Sequence, residues 1–397
     1  MTEKASEISA PASHWFEYFP GNYMWSQAMV LAFGLAGWHA ADFGDVDRVG
    51  RRLKARTPDN AAWHQEWDRM AREAEERAKA ARATGRQITA AEAYLRASVY
   101  YFLGERFLSH EDPAKLAAYR SCLRCFDKGA PEIMPGIEKV AVPYEGSHLS
   151  AYLLPAASGF APPYPAVVFF DGLDICKEMT AHYARELTRR GLACLVVDGP
   201  GQGETLRLQG IPSRHDYEVP AGACVDYLEK RRDIDSSRLG VMALSMGGYY
   251  APRCAAFEKR FKACVAWGAH YDYHALWVER RKVMERGGTR VSAPRFHLPW
   301  VLGVETMDEA MERLRPFTLK GVASRITCPI LICHGERDSI VPVENARRLY
   351  DEIPNGRKEL KIFDPEEGGA EHCQVDAIQI VTAYVSDWMR EQLGRTS

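Results

Sequence analysis

Leu239-Gly-Val-Met-Ala-Leu-Ser-Met-Gly-Gly248 runs from a short apolar segment into a helical one, with a serine at the junction. A strand that turns this sharply into a helix lifts a serine hydroxyl above the end of a sheet, provided small neighbours let the backbone pass closely. Gly247 and Gly248 give that room on one side; on the other, Ala243 stands where a glycine is usual, so the motif reads A-x-S-x-G. The same pattern could be a plain strand-to-helix turn whose serine only caps the helix. The rest of the chain separates these two possibilities.

Around this stretch, apolar runs alternate with helical ones. Residues 166–170, 192–197, 239–244, 263–267, 330–333 and 360–363 read as strands, and residues 177–190, 217–231, 247–257, 343–353 and 375–392 as helices. Residues 137–142 and 148–154 add a strand pair turning at Glu145-Gly146. Short apolar strands separated by helices signal a mostly parallel sheet, here eight-stranded, covered on both faces. Residues 274–318 break the rhythm and read as a cap insertion above the sheet. Before residue 135 nothing alternates with period two. Asp59-Asn60 caps a helix over 61–84, another starts at Thr89, and a third starts at Asp112-Pro113. The expected organisation is therefore an all-helical cap over 1–135 and a catalytic α/β part over 136–397.

A serine hydroxyl is a poor nucleophile until a base takes its proton and a carboxylate orients that base. In α/β hydrolases the order along the chain is serine, acid, histidine. Here Cys328-Pro-Ile-Leu-Ile-Cys-His-Gly-Glu-Arg-Asp338 is a strand followed by a turn presenting an acid, and Gly368-Gly-Ala-Glu-His372 follows the last strand. Both stand at the carboxyl ends of strands, where the site of an open α/β sheet gathers. Ser245, Asp338 and His372 are the expected triad; Glu336 and His334, nearer the strand, are the alternative acid and histidine. An oxyanion hole needs two backbone N–H groups. Met246 supplies one by position, and Phe170-Asp-Gly-Leu-Asp174 is expected to supply the other from Leu173 or Gly172.

At 397 residues, 46% hydrophobic and 26% charged, the composition is that of a globular enzyme, and a formal charge of −2 gives no field to attract nucleic acid or an anionic membrane. The weakly charged stretch 22–41 is interrupted by Ser26, Gln27 and His39, short of the roughly 20 apolar residues that cross a bilayer. No secretory signal is expected, and ten scattered cysteines fit a reducing cytoplasm. The single CxxC, Cys122 to Cys125, falls in a helical segment with no second pair, and no metal site is expected there. Asp198-Gly-Pro-Gly-Gln-Gly203 invites a dinucleotide reading, but Glu204 stands where the last glycine of G-x-G-x-x-G belongs, and a tight loop at the rim of the site is expected instead. His270 and His274 are expected to line a pocket beneath the insertion.

Asp171-Gly-Leu-Asp-Ile-Cys-Lys-Glu178, Asp198-Gly-Pro-Gly-Gln-Gly-Glu204, the Ser245 turn, His334-Gly-Glu-Arg-Asp338 and Glu371-His372 together resemble the 2,6-dihydroxypseudooxynicotine hydrolase family, and the fungal hydrolases that shorten polyketide pigments are similar. The resemblance covers nearly the whole chain; the GLD-x-x-KE block is its most specific part. It implies an α/β-hydrolase fold with a helical N-terminal cover, and a serine hydrolase able to cleave a carbon–carbon bond beside a ketone. It also implies an acidic residue near that ketone, for which Asp272 and Glu279 are the candidates.

The expected activity is hydrolysis of a C–C, ester or thioester bond in a mid-sized aromatic or polyketide-like small molecule, without a cofactor. Tyr271, Trp277 and Trp300, with Trp267, Tyr273 and Phe296, are expected to line an aromatic pocket, although such a stripe also suits core packing. Acyl transfer from the same acyl-enzyme is an alternative. A general esterase or prolyl-oligopeptidase-like peptidase is another, opposed by the helical first part. A non-catalytic binding protein would be favoured by a missing triad member, and none is missing. A homodimer is also possible.

Overall fold

Eight strands form one sheet: β1 (Glu138–Tyr144), β2 (Ser147–Leu154), β3 (Tyr164–Phe170), β4 (Ala193–Asp198), β5 (Ile234–Leu244), β6 (Phe261–Trp267), β7 (Ile330–Gly335) and β8 (Lys358–Phe363). Their order is β1-β2-β4-β3-β5-β6-β7-β8, antiparallel at β1–β2 and β2–β4 and parallel elsewhere. This is the α/β-hydrolase fold. The computed structural model describes residues 15–285, 293–354 and 356–394.

Side chains alternate across the sheet and separate two cores. Val167 and Phe169 of β3, Val196 of β4 and Met242 of β5 face one side; Val168 and Phe170, Val197 and Val241 face the other. On the first side lie α6 (Lys177–Arg189) and α14 (Ile378–Gly394), through Met179, Tyr183, Val381 and Met389. That core continues without a break into the helices of the first part: α1 (Tyr23–Leu35), α2 (Phe43–Leu53), α3 (Asn60–Ala83), α4 (Gln87–Glu105) and α5 (Pro113–Ile133). Trp25, Trp63, Trp67 and Phe102 are fully buried in it.

The second side is covered by α8 (Glu218–Leu228) and α9 (Gly247–Phe257), with α13 (Glu344–Glu352) further along. The insertion between β6 and β7 also packs here, as α10 (Tyr273–Glu285), α11 (His297–Leu302) and α12 (Met307–Leu314). Its residues 286–292 lie outside the described residues.

Local signals act as the sequence suggests. Asp59 Oδ1 accepts Ala62 N–H at 3.0 Å and Asp112 Oδ1 accepts Ala114 N–H at 2.9 Å, capping α3 and α5. Glu145 and Gly146 take φ of 42° and 80° at the β1–β2 turn, the left-handed pair of a tight hairpin. One stretch differs. The loop expected over 198–203 runs directly into a helix that the sequence reading does not include, α7 (Gly203–Gln209). The Asp198 carboxylate accepts Glu204 N–H at 2.7 Å and starts that helix, and a Cβ on Gly203 would lie 2.0 Å from Asp198 Oδ1.

Candidate active site

Ser245 follows β5 with φ of 58°, a left-handed conformation that costs a non-glycine residue on the order of 1–3 kcal/mol. Two backbone bonds hold it: Ser245 N–H to Trp267 O at 2.9 Å and Gly248 N–H to Ser245 O at 2.6 Å. A Cβ on Gly247 would lie 2.5 Å from Ala243 Cβ, and one on Gly248 would lie 2.3 Å from Gly268 O. Alanine is therefore tolerated at 243 because 247 is glycine.

Ser245 Oγ lies 2.9 Å from His372 Nε2, and His372 Nδ1 lies 2.7 Å from Asp338 Oδ2. The other carboxylate oxygen of Asp338 accepts the N–H groups of Ile340 at 2.8 Å and Val341 at 2.7 Å. Gly335, at the end of β7, lets the histidine loop come this close, since a Cβ there would lie 2.3 Å from Ala370 O. Arg337 N–H then bonds Ala370 O at 3.0 Å and ties the two loops. Of the alternatives, Glu336 is exposed. His334 is buried behind the acid, donating Nε2–H to Val341 O at 2.8 Å with Asp338 Oδ2 at 3.5 Å.

Burial alone would raise Asp338, but the His372 ring holds its pKa down at about 2. Burial likewise works against a charge on His372, and the Asp338 carboxylate outweighs it, so the ring titrates well above its ordinary value. Beside them, Glu371 is pushed up to about 7, first by burial and then by Asp338. It accepts the Tyr23 hydroxyl of α1 at 3.2 Å. His270 is buried, its Nδ1 is 2.7 Å from Gly268 O, and its ring centroid is 6.2 Å from that of His372. Burial, with His372 adding to it, keeps it well below the usual histidine range. His270 thus packs against the catalytic candidates, whereas His274 is only half-buried on α10.

The serine and histidine open onto a narrow cavity of about 50 Å³, lined on its apolar side by Leu31, Ile175, Tyr183, Leu244, Trp267, Val375 and Ile378. Gln27, Arg106 and Asp174 form its polar end. The wall thus comes from α1, from the end of α4 and from α6. Of the aromatic residues expected to line a pocket, Trp267 on β6 is the one among the described residues that lines it.

The five pocket candidates named above are placed elsewhere. Tyr271 turns its hydroxyl to Glu352 at 2.5 Å. Asp272 caps α10 through Ala275 N–H at 2.8 Å, and Glu279 is 69% exposed beside Lys282. Trp277 packs in the second core, its ring centroid 6.3 Å from Tyr273 one helical turn away. Trp300 stacks on His110 at 5.5 Å, with Lys115 and Arg207 also over its ring.

The motifs that suggested a nucleotide loop and a family signature share one buried charge network. Lys177 Nζ reaches Asp198 at 3.1 Å, Glu178 at 2.7 Å and Glu204 at 2.7 Å. Burial opposes the lysine charge, and these carboxylates overcome it. Tyr119 of α5 donates to Glu178 at 3.1 Å and so joins the network from the helical part. The network anchors the start of α6, immediately after the loop 171–174. Gly172 in that loop lies against the serine: a Cβ on it would be 2.8 Å from Ser245 Cβ. Met246 follows the serine, buried at the start of α9.

Comparison with known proteins adds four findings. Over 95% of this chain and 98% of its own length, the hydrolase LUC6 of a Fusarium species is 30% identical. The 2,6-dihydropseudooxynicotine hydrolase of Paenarthrobacter nicotinovorans is 28% identical over 87% of this chain and 88% of its own. A crystal structure of 2,6-dihydroxy-pseudo-oxynicotine hydrolase superposes with a TM-score of 0.75 at 25% identity, covering 91% of this chain and 95% of that one. The family described as FrsA-like esterases matches residues 57–378. This chain belongs to the FrsA-like esterase family and is an enzyme, a hydrolase of the α/β-hydrolase type.

Proposed function

We propose that Ser245 is the nucleophile, His372 its general base and acid, and Asp338 the carboxylate that orients His372. The observation that carries this reading is the continuous relay from Ser245 Oγ through His372 to Asp338, at 2.9 and 2.7 Å, opening onto an apolar cavity. The reaction is hydrolysis of a C–C bond beside a ketone, or of an ester or thioester, in an aromatic or polyketide-like small molecule. Ser245 Oγ adds to the carbonyl carbon while its proton passes to His372 Nε2. The oxyanion accepts N–H bonds from Met246 and from Gly172 or Leu173. When the tetrahedral adduct collapses, the C–C bond breaks and its electron pair leaves on a carbon next to a second carbonyl, which takes up the charge as an enolate. His372 returns the proton to that carbon. Water then adds to the acyl-enzyme, giving a proton to His372, and the serine leaves with that proton.

The apolar lining and the names of the relatives support a hydrophobic ketone substrate. The test is a panel of aryl ketones, 1,3-diketones and matched esters, with products identified by mass spectrometry. Cleavage of diketone or aryl ketone to one carboxylic acid per turnover, lost in Ser245→Ala, supports the reading. Ester turnover with intact ketones throughout removes the C–C assignment.

A further inference from the structure

The loop over Ser245 is gripped from outside by three buried side chains, each from a distant part of the chain. Gln202, ahead of α7, donates Nε2–H to Asp171 O at 2.5 Å and to Gly172 O at 3.3 Å. His297, at the start of α11, donates Nε2–H to Leu173 O at 3.1 Å. Arg106, just past α4, donates to Asp174 O at 2.8 Å and to Asp174 Oδ2 at 2.6 Å. Four consecutive carbonyls are thus tied by side chains that are themselves only 2%, 3% and 4% exposed.

In a trans peptide unit the C=O of one residue and the N–H of the next are coplanar and point in opposite directions. Holding the carbonyls of Asp171, Gly172 and Leu173 therefore fixes the directions of the N–H groups of Gly172, Leu173 and Asp174. We propose that Gln202 and His297 are positioning residues that aim these N–H groups at the oxyanion formed on a Ser245-bound carbonyl, with Arg106 fixing the far end of the loop through the carbonyl and carboxylate of Asp174. The helical part and the insertion then take part in the reaction as well as covering it. This inference rests on Ser245 being the nucleophile.

The donors are themselves oriented. Gln202 Oε1 accepts Gly199 N–H at 2.9 Å, which leaves its amide nitrogen for the loop. Burial, and after it Lys115, lowers His297 to about 4. At neutral pH its ring therefore carries one proton, and the bond to Leu173 O places that proton on Nε2. Dipoles fixed before the reaction stabilise developing charge without reorganising during it. Holding one loop from α4, the β4–α7 connection and α11 is a means to that end.

The test compares wild type with Arg106→Met, Arg106→Lys, His297→Leu and His297→Gln. Turnover of a p-nitrophenyl ester is measured beside the affinity of a trifluoromethyl ketone, which adds to the serine and presents an oxyanion. His297→Leu is expected to lose about 10- to 100-fold in kcat, with KM within about 3-fold of wild type, whereas Arg106→Met, which also alters the cavity wall, is expected to lose kcat with an accompanying rise in KM. Inhibitor affinity should fall by a similar factor, and the Lys and Gln variants, which keep a donor, should recover part of both. Unchanged kcat overturns the proposal, as does a loss of kcat with inhibitor affinity intact, or a rise in KM alone. Melting curves accompany each variant, and if the Arg106 variants do not fold, the His297 pair carries the test. A folded wild type that neither turns over the ester nor is labelled at Ser245 contradicts the nucleophile assignment itself. An active wild type with unaffected variants contradicts only the positioning role.

Discussion

Ala243 and Gly247 meet across the turn that carries Ser245, so each limits the size of the other. Gly247→Ala would place two Cβ atoms 2.5 Å apart, with Asp171 O also 3.0 Å away. The expected loss is about 1–3 kcal/mol in denaturant unfolding. Adding Ala243→Gly should recover part of it, because one contact is relieved and the other is not; strictly additive losses would refute this account of the motif. The His372–Asp338 pair makes a second prediction. His372 acts as a base only when neutral, and Asp338 raises its pKa, so the acid limb of kcat/KM should lie above the ordinary histidine value. Asp338→Asn removes the opposing charge and should shift that limb to lower pH while kcat falls steeply. A limb that stays in place would assign it to another group. Glu371 makes a third. Its folded pKa of about 7 exceeds an unfolded value of about 4.3, so the folded state binds the extra proton between them. Its favourable contribution is complete below the unfolded value and is lost as pH rises through about 7. Glu371→Gln should therefore flatten the decline in melting temperature between about pH 4.3 and 7, and an unchanged slope would contradict the assignment.

At the scale of elements, the sheet was legible because each strand alternates between two apolar faces and each connection carries its own turn or cap chemistry. The order of Ser245, Asp338 and His372 was legible because each follows a strand. Gly335 explains how two of those loops meet. Its replacement by alanine should force the Ala370 carbonyl away, lengthen the Asp338–His372 contact and lower kcat by at least 10-fold, on the order expected for a misplaced catalytic group. Wild-type kcat in that variant would refute the role given to this glycine. The cavity wall was not legible. Gln27 and Leu31 of α1 and Arg106 past α4 line the serine's cavity through long-range packing that no local periodicity encodes. The aromatic residues of the insertion do not line the serine's cavity, for a physical reason: Tyr273 and Trp277 have the spacing of a helix face, which suits a core as well as a pocket. Likewise, Asp198 and Lys177 stood out as motif residues, and their work is to hold the start of α6 and α7 in a buried charge network.

At the scale of the molecule, one apolar core runs from the sheet face under α6 and α14 into α1–α5. Residues 136–397 produced alone would expose that face. They are expected to be aggregated or to bind a hydrophobic dye strongly, and a soluble, cooperatively melting fragment would contradict the continuous core. The cavity has a bearing on how substrate enters: about 50 Å³ is well below the roughly 300–1,000 Å³ of pockets that enclose drug-sized ligands, so a mid-sized substrate is expected to bind with its wall displaced. The most direct test of the whole account is to treat the intact protein and Ser245→Ala with a small fluorophosphonate and locate the adduct by mass spectrometry. The account predicts a single adduct on Ser245, absent from the variant and slowed in Arg106→Met and His297→Leu. A folded protein that takes no label even from the smallest probe, or that is labelled at another residue, would contradict it.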